Sequence, residues 1–181
     1  ARHGQPEPLG LPHRLRLEAS PDRSGFRFTQ HASTLHVAGL ADFNRNGSAE
    51  FVAMEIGGAG YQPTQVFERD PSGNYQSIFS TAEAFFPWAI GDTDGDGLID
   101  ILGNRDERTF LIEQRAPGEF PEAIIWDVEG IWGGQIADLD SDGQPEIISR
   151  HNATNAIWIH GATGDNRYRR IAELANPTDG D

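Results

Sequence analysis

Cysteine is absent from the 181 residues. That excludes a disulfide framework, a thiolate metal site and a cysteine nucleophile, although it does not by itself fix the compartment. Long hydrophobic runs are also missing: the longest, Ala84 to Ile90, falls far short of a bilayer span, which excludes a transmembrane helix. Positive charge is scarce, with 14 Lys and Arg against 28 Asp and Glu and a net charge of −14, which argues against a nucleic-acid partner. No stretch sustains a 3.5- or 3.6-residue apolar period, so helix is at most a minor element. The six histidines show no metal-ligand spacing and no zinc-protease motif occurs. No leader pattern precedes Ala1, as expected of a processed or excised piece.

What is present points to a chain of short strands. Apolar residues, at 37%, are too many for a disordered acidic tail, while 21 Gly and 11 Pro mark frequent turns. A repeat organises them. The segments ADFNRNGSAEFVAM (41–54), GDTDGDGLIDILGN (91–104) and ADLDSDGQPEIISR (137–150) recur so that Asp42, Asp92 and Asp138 stand 50 and 46 residues apart. A second marker runs in step: VFERDPSGNY, LIEQRAPGEF and IWIHGATGDNRY each read as strand, glycine turn at Gly73, Gly118 or Gly164, and strand, with a fourth such hairpin around Gly25. Each unit reads as four strands. In the middle unit these are WAIGD, LIDILG, FLIEQ and a run beginning at Phe120. Four antiparallel strands per repeat of about 40–50 residues is the size of a propeller blade.

Each acidic segment follows the order Asp, any, Asp or Asn, any, Asp or Asn, Gly, any, any, Asp or Glu. Oxygen donors at positions 1, 3 and 5 converge when the chain turns sharply, and the glycine at 6 permits that turn. A carbonyl at 7 and a carboxylate at 9 would close the cage. Oxygen donors without nitrogen or sulfur select Ca²⁺. A helix-flanked EF-hand is excluded, since position 12 is Ala53, Gly103 and Ser149 where a bidentate Glu is required. The residues that follow each loop favour strands.

These loops resemble the calcium loops of FG-GAP/VCBS repeats, the blade type of the integrin α-subunit head propeller, over nearly the whole chain from Phe26 onward. The resemblance implies an all-β partial propeller of about three and a half blades. Its divisions are an N-terminal hairpin in 1–30 and blades over 31–79, 80–126 and 127–181. It also implies three Ca²⁺ sites. The ligands would be Asp42, Asn44, Asn46 and Glu50; Asp92, Asp94, Asp96 and Asp100; Asp138, Asp140, Asp142 and Glu146, with the carbonyls of Ser48, Leu98 and Gln144 at position 7. The signatures that name the family are altered, the nearest stretches being GGAGYQP and RAPGEF. The first loop has two Asn in place of Asp and contains Arg45, so its site is expected to be the weakest.

Other features read as packing before function. His36, Phe86 and Trp132 each stand six residues before a loop's first Asp, at equivalent blade positions. They are expected to pack between blades, with a ring of ligand contacts as the alternative. Trp88 and Trp158 lie in apolar runs and read as core. The run Arg167, Tyr168, Arg169, Arg170 reads as protection of an outer strand against edge pairing. Asn46-Gly47-Ser48 and Asn152-Ala153-Thr154 are formal glycosylation sequons, the first improbable because its Asn should face calcium.

The expected protein is therefore a non-catalytic, calcium-stabilised binding or adhesion module, extracellular, periplasmic or at the cell surface. Its expected partners are a protein or carbohydrate ligand and either the rest of a propeller or another chain that completes the fold. The alternative is the propeller part of an extracellular enzyme such as a polysaccharide lyase or phospholipase.

Overall fold

The computed structural model describes residues 17–19, 26–28, 34–57, 60–120 and 124–175, and every regular element among them is a strand. Strands β1 (Leu17–Ala19) and β2 (Phe26–Phe28) pair antiparallel. The turn expected at Gly25 lies outside the described residues, as does the tail beyond residue 175. Three larger sheets follow. The first orders β3 (Thr34–Ala41), β4 (Glu50–Gly57), β6 (Pro63–Arg69) and β7 (Tyr75–Ala84), with the short β5 (Gly60–Tyr61) paired to β4. The second is β8 (Phe86–Gly91), β9 (Asp100–Arg105), β10 (Arg108–Glu113) and β11 (Ile124–Glu129). The third is β12 (Ile131–Ala137), β13 (Glu146–His151), β14 (Ile157–Gly164) and β15 (Arg167–Leu174). Each is an antiparallel meander of sequence neighbours, which is a propeller blade, and together they make a partial propeller.

The repeat extends to fine geometry. The first strand of every blade carries a bulge at the same place, between Val37 and Gly39, Pro87 and Ala89, and Trp132 and Gln135. First strands of successive blades lie side by side. A Cβ on Gly39 would come within 2.8 Å of Ile90, and one on Gly91 within 2.9 Å of Ile136, so these glycines admit the neighbouring blade's aliphatic side chain. Two apolar seams result. Phe43, Val52 and Val66 of the first blade meet Ile101, Phe110 and Ile112 of the second, with Phe85 from the connection between them. On the opposite face of the second sheet, Ala89, Leu102 and Leu111 meet Ile147 and Tyr168 of the third blade. Adjacent residues such as Ile101 and Leu102 serve opposite seams, because successive side chains of a strand face opposite ways and this sheet is covered on both.

The fourth strand of the second blade starts at Ile124 rather than Phe120. Residues 116–119 form a separate turn, with an Ala116↔Glu119 bridge and Gly118 at φ +79°, whose N–H donates to the Phe43 carbonyl at 2.8 Å. Phe120 then packs on Phe43 and Phe79, ring centroids 5.2 and 4.7 Å away. Burying that ring in the seam takes Phe120 out of the strand.

At the end of the inner strands opposite the acidic loops, His36 and Phe86 pack between blades, whereas Trp132 is 41% exposed and departs from that expectation. His36, Phe86 and Trp132 pair across from Met54, Asn104 and Arg150, one equivalent site per blade. The His36 ring lies 4.2 Å from that of Phe86, and its Nε2 is 2.8 Å from the Pro87 carbonyl, joining two blades. Trp88 lies against Gly133 of the third blade and donates from Nε1 to Asn104 Oδ1 at 2.8 Å. On the outer strand β15, Arg167 and Arg169 are exposed, whereas Tyr168 turns inward to the second seam and Arg170 stacks over Trp158 at 4.3 Å.

Candidate metal centre

The three acidic loops join the first and second strands of their blades and share a hydrogen-bond pattern that differs only in which N–H, position 5 in the first loop and position 4 in the others, is the first to bond position 1. Position 1 accepts two backbone N–H groups. Asp42 takes those of Asn46 and Gly47 (2.9 and 2.8 Å), Asp92 those of Gly95 and Gly97 (2.8 and 2.9 Å), and Asp138 those of Ser141 and Gly143 (2.7 and 3.1 Å). Position 3 accepts from the N–H of position 5: Asn44 from Asn46, Asp94 from Asp96 and Asp140 from Asp142, at 3.1–3.3 Å. Position 5 accepts from position 7, so that Asn46, Asp96 and Asp142 anchor Ser48, Leu98 and Gln144 at 2.7–2.8 Å. The position-6 glycines Gly47, Gly97 and Gly143 have φ of +86, +88 and +92°. Their identity follows from backbone conformation, a region that costs side chains with a Cβ.

Position 9 opens the second strand and is buried in every blade: Glu50, Asp100 and Glu146 are 0, 1 and 6% exposed. One oxygen of each accepts the N–H of position 2, from Phe43, Thr93 and Leu139, at 2.8–2.9 Å. The other oxygen of Glu50 and of Asp100 is buried with no hydrogen-bond partner. Burial pushes the Asp100 carboxyl up to about 7, with repulsion from Glu113 and Asp94 outweighed in turn by hydrogen bonds from Thr93. Glu50 is raised for the same first reason, burial, with Glu68 and Asp42 adding repulsion. A buried carboxylate oxygen without a donor is costly, and a cation beside it would remove that cost.

One oxygen each of Asp92, Asp94 and Asp96 lies within 4.8 Å of the other two, and the same holds for Asp138, Asp140 and Glu146. Asp100 and Asp142 stand outside these triplets. Asp100 is engaged by both the N–H and the hydroxyl of Thr93, and Asp142 by Gln144. The first loop has only two carboxylates, so its polar wall is completed differently. The amides of Asn44 and Asn46 both donate to Glu68 Oε1, at 3.0 and 2.6 Å. That leaves their carbonyl oxygens turned to the loop backbone. Arg45 reaches out of its own loop to the Gly97 carbonyl of the second.

Several contributors have no signal in the repeat. Glu68 and Glu113 occupy the third strand directly beside the position-9 acids, Glu113 pairing with Asp100. Gln114, 1% exposed, donates to the Phe43 carbonyl (2.8 Å) and accepts from the Ile99 N–H (3.1 Å), tying the first two loops together. Position 4 is left-handed in all three loops, with Arg45, Gly95 and Ser141 at φ +57, +83 and +65°. Only Gly95 hints at this in sequence. An all-oxygen pocket with preformed turns and unsatisfied buried carboxylate oxygens is chemically suited to a hard divalent cation.

Residues 92–149 match the FG-GAP-like repeat family, a span that includes the second and third loops. No curated protein matches the chain. Among solved structures, a crystal structure of a protein from Lactobacillus plantarum superposes with a TM-score of 0.55 at 15% identity, over 88% of this chain and 50% of that one. The chain thus spans about half the length of that protein, and the likeness speaks for the propeller arrangement alone. The family match supports an FG-GAP-like repeat over residues 92–149, and the same loop pattern recurs at Asp42 in the first blade.

Proposed function

We propose that the chain is a calcium-stabilised, non-catalytic binding or adhesion module of a secreted or cell-surface protein, with one Ca²⁺ in each acidic loop. The observation that carries this reading is the position-9 carboxylate. It is buried in all three blades, and in two of them it keeps an oxygen with no partner in the protein. The ion's role is structural: it clamps the connection between the two inner strands of a blade and offsets repulsion among acids that the loop backbone already holds in place. Loops of moderate charge suit the millimolar calcium outside cells.

Completion by further blades belongs to the same reading. Ile90 and Ile136, two residues before their loops, pack on the preceding blade's inner strand. Leu40 is their counterpart in the first blade and is 69% exposed. A further blade, from the rest of a propeller or from another chain, would cover it. No helix among the described residues is long and apolar enough to cross a membrane.

Thermal melts in calcium and in excess chelator test the metal reading. Calcium at about 100 times Kd should raise Tm by at least about 5 °C, since each filled site adds about 2.7 kcal/mol. Magnesium should do less. Identical melts, with no heat of binding on titration, would refute it.

A further inference from the structure

We propose that the second metal site extends past its loop to Glu113 on β10 and Asn166 in the β14–β15 turn, so that the ion held by the second blade is shared with the third. This rests on the calcium reading above.

Three buried oxygens near the second loop lack any hydrogen-bond partner: Asp100 Oδ1, Glu113 Oε1 and Asn166 Oδ1. They come from three different strands or turns but from one connected group. Asp100 and Glu113 are direct partners across β9 and β10, so their side chains rise from the same face of the sheet. The Asn166 side-chain amide donates to Glu113 Oε2 at 3.0 Å, and the Asn166 N–H donates to Asp94 Oδ2 at 2.7 Å. Asn166 therefore touches both a loop acid and the third-strand acid. It is held there at φ +56°, while Tyr168 two residues on bonds Thr93 Oγ1 at 2.7 Å. Glu113 is 7% exposed, so solvent does not satisfy it.

Oxygens alone cannot satisfy one another, since carboxylates and amide carbonyls are acceptors. What such a group lacks is positive charge, and a cation in the adjoining loop supplies it. The other blades differ at this point. In the first, the matching acid Glu68 is satisfied by Asn44 and Asn46. In the third, the place one step beyond the Ile147↔His160 pair is Gly161, which has no side chain to offer. The extension is thus specific to the second blade, where it couples metal binding to the contact with the third.

The test compares calcium titration calorimetry and terbium luminescence lifetimes, measured in H₂O and D₂O to count waters on the bound ion. The proteins are the wild type, Glu113→Gln, Asn166→Gly and Asp92→Ala. Glutamine keeps the shape of Glu113, and glycine keeps the backbone of Asn166. Both changes should weaken one site by about tenfold or more, leave the other two unchanged, and add about one water to that ion. A merely structural acid would not change the water count. Wild-type affinities and hydration in both variants, with one site lost in Asp92→Ala, would overturn the extension and spare the calcium reading. If Asp92→Ala also binds as wild type does, the calcium reading itself fails. Circular dichroism establishes that each variant is folded, and the two variants fail independently.

Discussion

His160 is buried on β14, with the Trp126 and Trp158 rings 5.3 and 6.2 Å away and Nδ1 without a hydrogen-bond partner. Burial first, and the Arg170 charge second, pull its pKa from 6.5 down to about 4. The unfolded chain therefore takes up a proton that the folded chain refuses. Stability is complete above the unfolded value, drains as the pH falls from 6.5, and has lost about 3 kcal/mol once the pH passes below the folded value near 4. Urea unfolding of the wild type and of His160→Phe at pH 7 and pH 4 should show a smaller pH-dependent loss in the variant. Equal losses would refute the assignment. None of this was legible in sequence, where His160 is one of six scattered histidines. Its pKa depends on tryptophans from two blades. The same holds for Glu68 and Glu113: an acid in a strand reads as solvent-facing, and only the pairing of β4 with β6 and of β9 with β10 turns each toward a loop.

At the scale of the element, the acidic loops were readable because their donors are local. Positions 1, 3, 5, 6 and 9 fall within nine residues, so spacing in the chain is close to spacing in space. The left-handed position 4 was hidden because Arg45 and Ser141 adopt it without being glycine. On the proposed calcium reading, loop charge should order the three sites. The first has two loop carboxylates against four in each of the others, and Glu68 restores part of the deficit by orienting Asn44 and Asn46. Arg45 adds less repulsion than its place in the chain implies, since its guanidinium is bound at Gly97. Stepwise addition of chelator should still empty the first loop first, and Asp42→Ala should lower the calcium-loaded Tm less than Asp92→Ala does. A first site that outlasts the other two in calorimetry of single-loop variants would refute this order.

The whole molecule is held by seams between blades more than by any blade alone. Each blade's sheet is covered on a face only where a neighbour lies against it, so the outer face of the first blade carries Val37 and Leu40 at 48 and 69% exposure. In water that apolar surface favours association. In sedimentation velocity the wild-type chain should associate as its concentration rises, and Leu40→Glu should shift it toward monomer with an unchanged circular dichroism spectrum. Superimposable sedimentation profiles would show that this face does not drive association.

By itself the sequence determined the all-β class, the four-strand repeat and the place of the three acidic loops, because alternation, turn residues and ligand spacing all act within a few residues of chain. Tertiary structure decided the rest. It placed Phe120 in a seam where a strand was expected, set Glu113 beside Asp100, and brought Asn166 and Tyr168 of the third blade onto the second loop. These contacts join residues up to 75 positions apart. Their energies depend on which face of a sheet meets which neighbour, and no local pattern in the chain encodes that.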